Sequence, residues 1–294
     1  MPPQVFIATI ASAEGPVSAV VRDGLVHRLA DAPGVRAMLA DWDGWLARAD
    51  SEQLADGVPL ADCTLLAPLL DPPNLYMVGA NYGDHAREMA GLAPDAPIAR
   101  SPSGPFFFLK PTTTLIGDGA TVTIGDGIDQ LDWEVELAAV IGRRADRVAE
   151  AAALDHVAGY MVVNDVSARD AFVRAGAPPA FAHDWLGQKG RATSCPAGPW
   201  ILPARDCPDP GRLALRLSVN GEVMQESSTA EMLFSLEEQI AYLSRILPLV
   251  PGDVVSTGTC AGVGAGRGRF LAPGDLMRAQ IESIGTLSNP VAAA

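Results

Sequence analysis

The chain has 294 residues, 48% of them apolar, and a formal net charge of −14. That length fits one large domain or two smaller ones, with ample material for a core. The acidic balance argues against nucleic acid and anionic membrane surfaces, since no basic run exists to neutralise phosphates, and no apolar run is long enough to span a bilayer.

The first residues, Met1-Pro2-Pro3-Gln4, carry neither a charged n-region nor an apolar h-region, so no signal peptide is expected. Residues 5–10 and 17–21 read as strands, and Arg22-Asp23-Gly24 is a turn into a third run, Leu25 to Leu29, that places His27 on a strand surface. Val35 to Ala49 reads as an amphipathic helix with Met38, Leu39, Trp42, Trp45 and Leu46 as its apolar stripe. Asp71-Pro72-Pro73-Asn74 then marks a boundary, which predicts a small N-terminal α/β domain over 1–70 and a larger domain over 71–294.

Leu75 to Ala80 is an apolar strand followed by a short helix, for which Asn81 or Asp84 supplies a cap. On that helix His85 and Glu88 stand three residues apart on one face, where a carboxylate can orient an imidazole for general-base work; an ordinary surface ion pair is the alternative. Residues 90–105 suit a mobile lid or a surface loop. Phe106 to Lys110 reads as a buried strand ending in a lysine. Of 21 basic residues only Lys110 and Lys189 are lysines, which singles them out as positions suited to a compact ammonium.

Trp133 to Ile141 alternates with a period of two. Trp133, Val135, Leu137, Ala139 and Ile141 share one face; Glu134, Glu136, Ala138 and Val140 share the other. The two glutamates are then roughly 6.5–7 Å apart at the backbone, on a face that turns apolar. Asp165 ends the apolar run Tyr160 to Val163, where a neighbouring strand can deliver it to the same spot. Three carboxylates with no His or Cys nearby in sequence suit a hard divalent ion; a half-exposed strand is the alternative.

Further on, Ser167 to Asp170 is expected to open a helix, residues 183–190 to form a loop, and Cys195 to Trp200 a rigid turn. Leu213 to Gln225 is a hairpin about Asn220-Gly221, and Ser235-Leu236-Glu237-Glu238 is a capping box before a helix. The run Gly262-Val263-Gly264-Ala265-Gly266 fits neither a Walker loop nor a dinucleotide fingerprint and is read as a tight loop near a site, one that opens no helix. The cysteines Cys63, Cys195, Cys207 and Cys260 form no CxxC pair and read as free thiols of a reducing cytoplasm.

Eight stretches in order resemble the fumarylacetoacetate hydrolase family over residues 74–290. They are Gly79-Ala80-Asn81-Tyr82, Asp84-His85 with Glu88-Met89, Phe108-Leu109-Lys110-Pro111, Glu134-Val135-Glu136-Leu137, Asn164 to Asp170, Gly198-Pro199-Trp200, Val219-Asn220-Gly221 and Thr257-Gly258-Thr259. The resemblance implies an α+β, mostly β fold: a mixed β-sandwich roll preceded by a small N-terminal domain, usually dimeric. It further implies that Glu134, Glu136 and Asp165 ligate Mg²⁺ or Mn²⁺. His85 and Glu88 would activate water, Lys189 would sit beside the substrate's oxygens, and Tyr82, Lys110, Arg169 and Thr259 would contact substrate. Three positions depart from the family's pattern: Ala80 where some members carry a substrate arginine, Phe172 for a common glutamine, and Cys260 for a proline.

The expectation from these motifs is a cytoplasmic homodimer that cleaves a carbon–carbon bond in a 2,4-dioxo acid of the acylpyruvate type, releasing pyruvate and a carboxylic acid. The alternative is a decarboxylase, isomerase or hydratase of a 2-oxo dicarboxylic acid. A non-catalytic binding protein on the same fold is the rival from another class, and no residue pattern favours it.

Overall fold

Alternation along Val135–Ile141 buries both faces of that strand, and the molecule is layered accordingly. The computed structural model describes residues 4–51, 54 and 56–294; the segment Met1–Pro3, part of the signal-peptide reading, lies outside them. Trp133, Val135, Leu137, Ala139 and Ile141 face one core, while Ala138 and Val140 face another. Val135–Ile141 is central in a 12-stranded sheet. On one side it pairs antiparallel with Val157–Asn164, which continues to Cys195–Pro203 and then, through Ile7↔Ile201, to the N-terminal strands Phe6–Ile10, Val17–Arg22 and Leu25–Arg28. On the other it pairs antiparallel with Val254–Thr259, which is parallel to Leu75–Gly79; Phe106–Lys110 closes that edge.

The first core lies between this sheet and a second, five-stranded one. The second sheet runs Glu222–Ser228, Ala214–Val219, Leu276–Ile281, Gly285–Ala293, Val122–Ile124. Its hairpin turns at Asn220 and Gly221, with φ of 53° and 86°, the left-handed pair that a two-residue turn demands. The helix Leu236–Ile246 joins this core, started by the Ser235/Glu238 capping box. The architecture is thus mostly β, with sheets facing each other as in a sandwich. The second core is covered by Val35, Met38, Leu39 and Leu46, so the first seventy residues share both a sheet and an apolar core with the rest of the chain.

Several local expectations differ from the structure for identifiable reasons. The Val35–Asp50 helix is broken by a tight turn at Leu39–Asp41, and Trp42 uses its indole N–H to reach Ala158 O at 3.0 Å. His27 is buried on its strand, not on the surface. Phe106–Lys110 is an edge strand, so Phe106 and Leu109 are exposed while Lys110 alone is sealed. Ser167–Ala168 forms a short strand against Leu131–Asp132, not a helix. Residues 185–189 form a helix instead of a loop, because the Asp184 carboxylate accepts from Gly187 N at 2.7 Å. Cys195–Pro203 is a strand, and its Pro199 sits where pairing with Val157–Asn164 slips register. The glycine-rich run does open a short helix, Gly264–Arg267, whose first amides are met by the distant Asp132.

Candidate active site and metal centre

Strand register assembles the three carboxylates. Val135 lies opposite Asn164, and Asp165 N donates to Glu134 O at 2.9 Å, so the residues just outside each strand end are adjacent. Glu134, Glu136 and Asp165 are all buried, and each offers an oxygen within 4.8 Å of the others. Such a group of hard oxygen donors could hold a divalent metal.

Three cations face them. Lys189 Nζ bridges Glu134 Oε2 at 2.9 Å and Asp165 Oδ2 at 2.6 Å. Lys110 Nζ donates to Asp165 Oδ1 at 2.6 Å and to Val166 O at 3.0 Å. Arg169 reaches Glu134 Oε1 at 2.6 Å through Nη2 and Asp132 Oδ2 at 2.8 Å through Nε. Burial opposes ionisation of Glu134, yet Lys189 and Arg169 outweigh it and pull the carboxyl down to about 2. Burial likewise works against the Lys189 ammonium, but Asp165 and Glu134 hold its pKa above the ordinary lysine value. Glu136 is the exception. Its Oε2 accepts from Ser256 Oγ at 2.5 Å and Gly258 N at 3.1 Å, and no cation pairs with it among the described residues. Burial, then the charges of Asp165 and Glu134, push it well above the usual carboxyl range. A divalent cation beside all three would remove that penalty, so the donor set fits a hard ion.

The helix Gly83–Met89 supplies the second constellation. His85 Nδ1 lies 3.3 Å from Glu88 Oε2, and the Glu88 carboxylate is anchored by Gly262 N at 2.9 and 3.1 Å. His85 also contributes to holding the Glu134 carboxyl down, so the ring is within electrostatic reach of the triad. Burial works against the Glu88 carboxylate, but His85 and the Gly262 amide lower its pKa overall. Gly262 is required here: its φ is +100°, and a Cβ would lie 2.0 Å from Met224 O. The same glycine-rich turn presents Gly264 N and Ala265 N to Asp132, whose carboxylate also takes Arg169 and Trp133 N. Asp132 and the turn therefore tie the His85–Glu88 pair to the triad.

The other expected contacts are placed differently from these. Lys110 has no exposed side-chain surface and holds Asp165 from behind. The Thr259 hydroxyl donates to Val135 O at 2.8 Å and accepts from Gln225 Nε2 at 2.8 Å. Tyr82 is fully buried in the first core, its hydroxyl beside Thr257 without a well-formed hydrogen bond. Asn81, expected as a cap, instead ties Thr257 O to the Phe234 backbone. Gly258 lies in a quoted motif and Gly262 in the run read as a tight loop near a site, whereas Asp132 and Ser256 were not singled out from sequence. Only Asp132 carries a local signal, an acid directly before Trp133-Glu134 that would face the core.

Residues 74–292 match the family described as fumarylacetoacetate (FAA) hydrolase C-terminal. The chain belongs to the fumarylacetoacetate hydrolase family. Among its relatives there, a Xenopus laevis protein named oxaloacetate tautomerase fahd2, mitochondrial, is 38% identical over 233 residues, covering 79% of this chain and 69% of the relative. A solved Mycobacterium smegmatis structure, 5-carboxymethyl-2-hydroxymuconate delta-isomerase, is 33% identical with a TM-score of 0.76 over 98% of this chain and 99% of that one. The fumarylacetoacetate hydrolase of psychrophilic Exiguobacterium antarcticum is 30% identical with a TM-score of 0.82 over 99% and 100%. Family members so named thus include a tautomerase, an isomerase and a hydrolase. No helix among the described residues is long and apolar enough to cross a membrane, and all four cysteines are free.

Proposed function

We propose that the chain is a proton-transfer enzyme for enolisable 2-oxo acids, of the tautomerase or isomerase class, with Mg²⁺ or Mn²⁺ held by Glu134, Glu136 and Asp165. The observation that carries this is the His85–Glu88 pair, anchored by Gly262 and within electrostatic reach of Glu134. When bound, a divalent ion supplies a Lewis acid that acidifies the carbon next to a 2-oxo group and offsets a carboxylate charge. The chain's own residues do the rest. Glu88 occupies the Nδ1 edge of His85, which leaves Nε2 as the nitrogen that takes a proton from C3 and returns it to the 2-oxygen as the enol forms. Lys110 and Arg169 hold Asp165 and Glu134 in place; Ser256 and Gly258 hold Glu136. Lys189 makes two hydrogen bonds, so its third N–H remains for a substrate oxygen.

Hydrolysis of an acylpyruvate is the second reading. The likeness to the Exiguobacterium hydrolase favours it, and the same imidazole can take a proton from water. Incubation with Mg²⁺ in D₂O and in ¹⁸O-labelled water separates the outcomes. Deuterium at C3 of an intact 2-oxo acid supports tautomerisation, ¹⁸O in a released carboxylic acid supports hydrolysis, and released CO₂ supports decarboxylation. Absence of all three across oxaloacetate, arylpyruvates and acylpyruvates would overturn the enzymatic reading. We further propose a homodimer in a reducing cytoplasm; the exposed apolar side chains Leu109, Val173, Phe181 and Leu186 support association, and sedimentation tests it.

A further inference from the structure

An aromatic wall starts at the Lys189 ammonium and runs out to the surface. Trp185 and Lys189 are four residues apart on one short helix and so share a face. Lys189 Nζ lies 5.3 Å from the Phe108 ring centroid, and Phe108 stacks on Trp185 at 5.1 Å and 28°. Phe106 meets the same indole at 5.2 Å, Phe172 meets it edge-on at 5.0 Å and 72°, and His183 stacks on Phe172 at 4.7 Å. These separations are those of favourable aromatic pairs. Phe106 is 50% exposed and Trp185 37% exposed, so the wall presents ring surface to solvent rather than closing into the core.

Charge adds an independent argument. Lys110, Lys189 and Arg169 are each engaged by the site's own carboxylates. Five carboxylates of the site, Asp132 and Glu88 included, stand against those three cations; a divalent ion brings the sum to zero, so no surplus is left for a second ligand carboxylate. We propose that the wall of Phe106, Phe108, Phe172 and Trp185 receives the distal end of the substrate, so that the preferred substrates are 2-oxo acids bearing an aryl or similarly apolar group in place of a second carboxylate. This rests on the 2-oxo acid reading of the triad and names the substrate class it serves.

The test uses two unreactive ligands with the same oxalyl head. N-phenyloxamate carries an aryl group at its far end, and N-oxalylglycine carries a carboxylate there. Calorimetric titration of the Mg²⁺-loaded protein should show N-phenyloxamate binding at least about tenfold more tightly. Phe172→Ala should lose about tenfold on the aryl ligand and far less on N-oxalylglycine; Phe106→Ala, on the exposed side of the wall, should show the same split if Phe172→Ala fails to fold. Equal or tighter binding of N-oxalylglycine overturns the inference, and its loss in Arg174→Ala would name that exposed loop arginine as the distal contact. Failure of N-phenyloxamate to bind overturns it too. If Phe172→Ala changes the sedimentation coefficient but leaves the affinity ratio in place, the wall is a subunit contact and the inference falls. Selective aryl binding without proton exchange on any 2-oxo acid would uphold the wall and sink the proposed reaction.

Discussion

Glu136→Gln changes charge while keeping the packing. Both donors to this side chain, Ser256 Oγ and Gly258 N, point at one oxygen, and the amide oxygen of glutamine accepts both. In chelator, burial and the neighbouring Asp165 and Glu134 raise the folded pKa of Glu136. A carboxyl so shifted binds more protons folded than unfolded. Its contribution is therefore fully present below the unfolded value of about 4.3 and is lost as pH climbs towards the folded value, by up to about 1.4 kcal/mol per pH unit. Glutamine has no such slope, so the metal-free variant should match or exceed the parent at neutral pH, with the gap widening as pH rises. Metal reverses the order. At a hundred times Kd, a bound ion stabilises by about 2.7 kcal/mol. With an unfolding entropy of about 0.6 kcal/mol per kelvin for a chain this long, the parent should gain about 4 °C in Tm. The variant, with one ligand lost, should move by less than about 1 °C at the same concentration. Scanning calorimetry with EDTA and with Mg²⁺, at several pH values, reads both effects. Equal metal-induced shifts in the two proteins would refute the triad as the ion's seat.

Other perturbations follow from the same geometry. Lys110→Met leaves Asp165 Oδ1 and Val166 O unpaired in a sealed site. It should cost about 3–5 kcal/mol, or about 5–8 °C in Tm, and a drop under about 1 °C in a thermal melt would sink that account. His85→Asn should slow C3 deuterium exchange by about 10²–10⁴-fold while the metal-induced Tm shift survives, which NMR exchange rates and melts can check together. Gly262→Ala forces a left-handed φ and a clash with Met224 O, and it frees the Glu88 carboxylate. Denaturant unfolding should show a loss of about 2 kcal/mol or more, with reduced exchange activity in the folded fraction.

Much of the site was legible because its signal is local. Alternation from Trp133 to Ile141 survives as two buried faces, and the His85–Glu88 spacing survives as one helical face. The hairpin at Asn220-Gly221 and the box at Ser235 are likewise local chemistry. What escaped has partners far along the chain. Asp132 serves as a cap for Gly264 N, more than a hundred residues away, so a run that opens no helix by its own residues opens one in the fold. Edge position is equally invisible: Phe106 to Lys110 reads as core by composition, yet it closes a sheet and leaves Phe106 half exposed.

Residue type and period alone determined which side chains can serve: three carboxylates, two rare lysines, one imidazole with its acid. Only the tertiary structure decided how they divide the work. It turned Lys110 and Thr259 inward to hold Asp165 and Val135, and among the described residues it left Glu136 without an ion-pair partner. It also ranged four rings beside Lys189. The physical reason is that periodicity is set by the backbone of one segment, whereas charge pairing and exposure depend on which other segments arrive beside it.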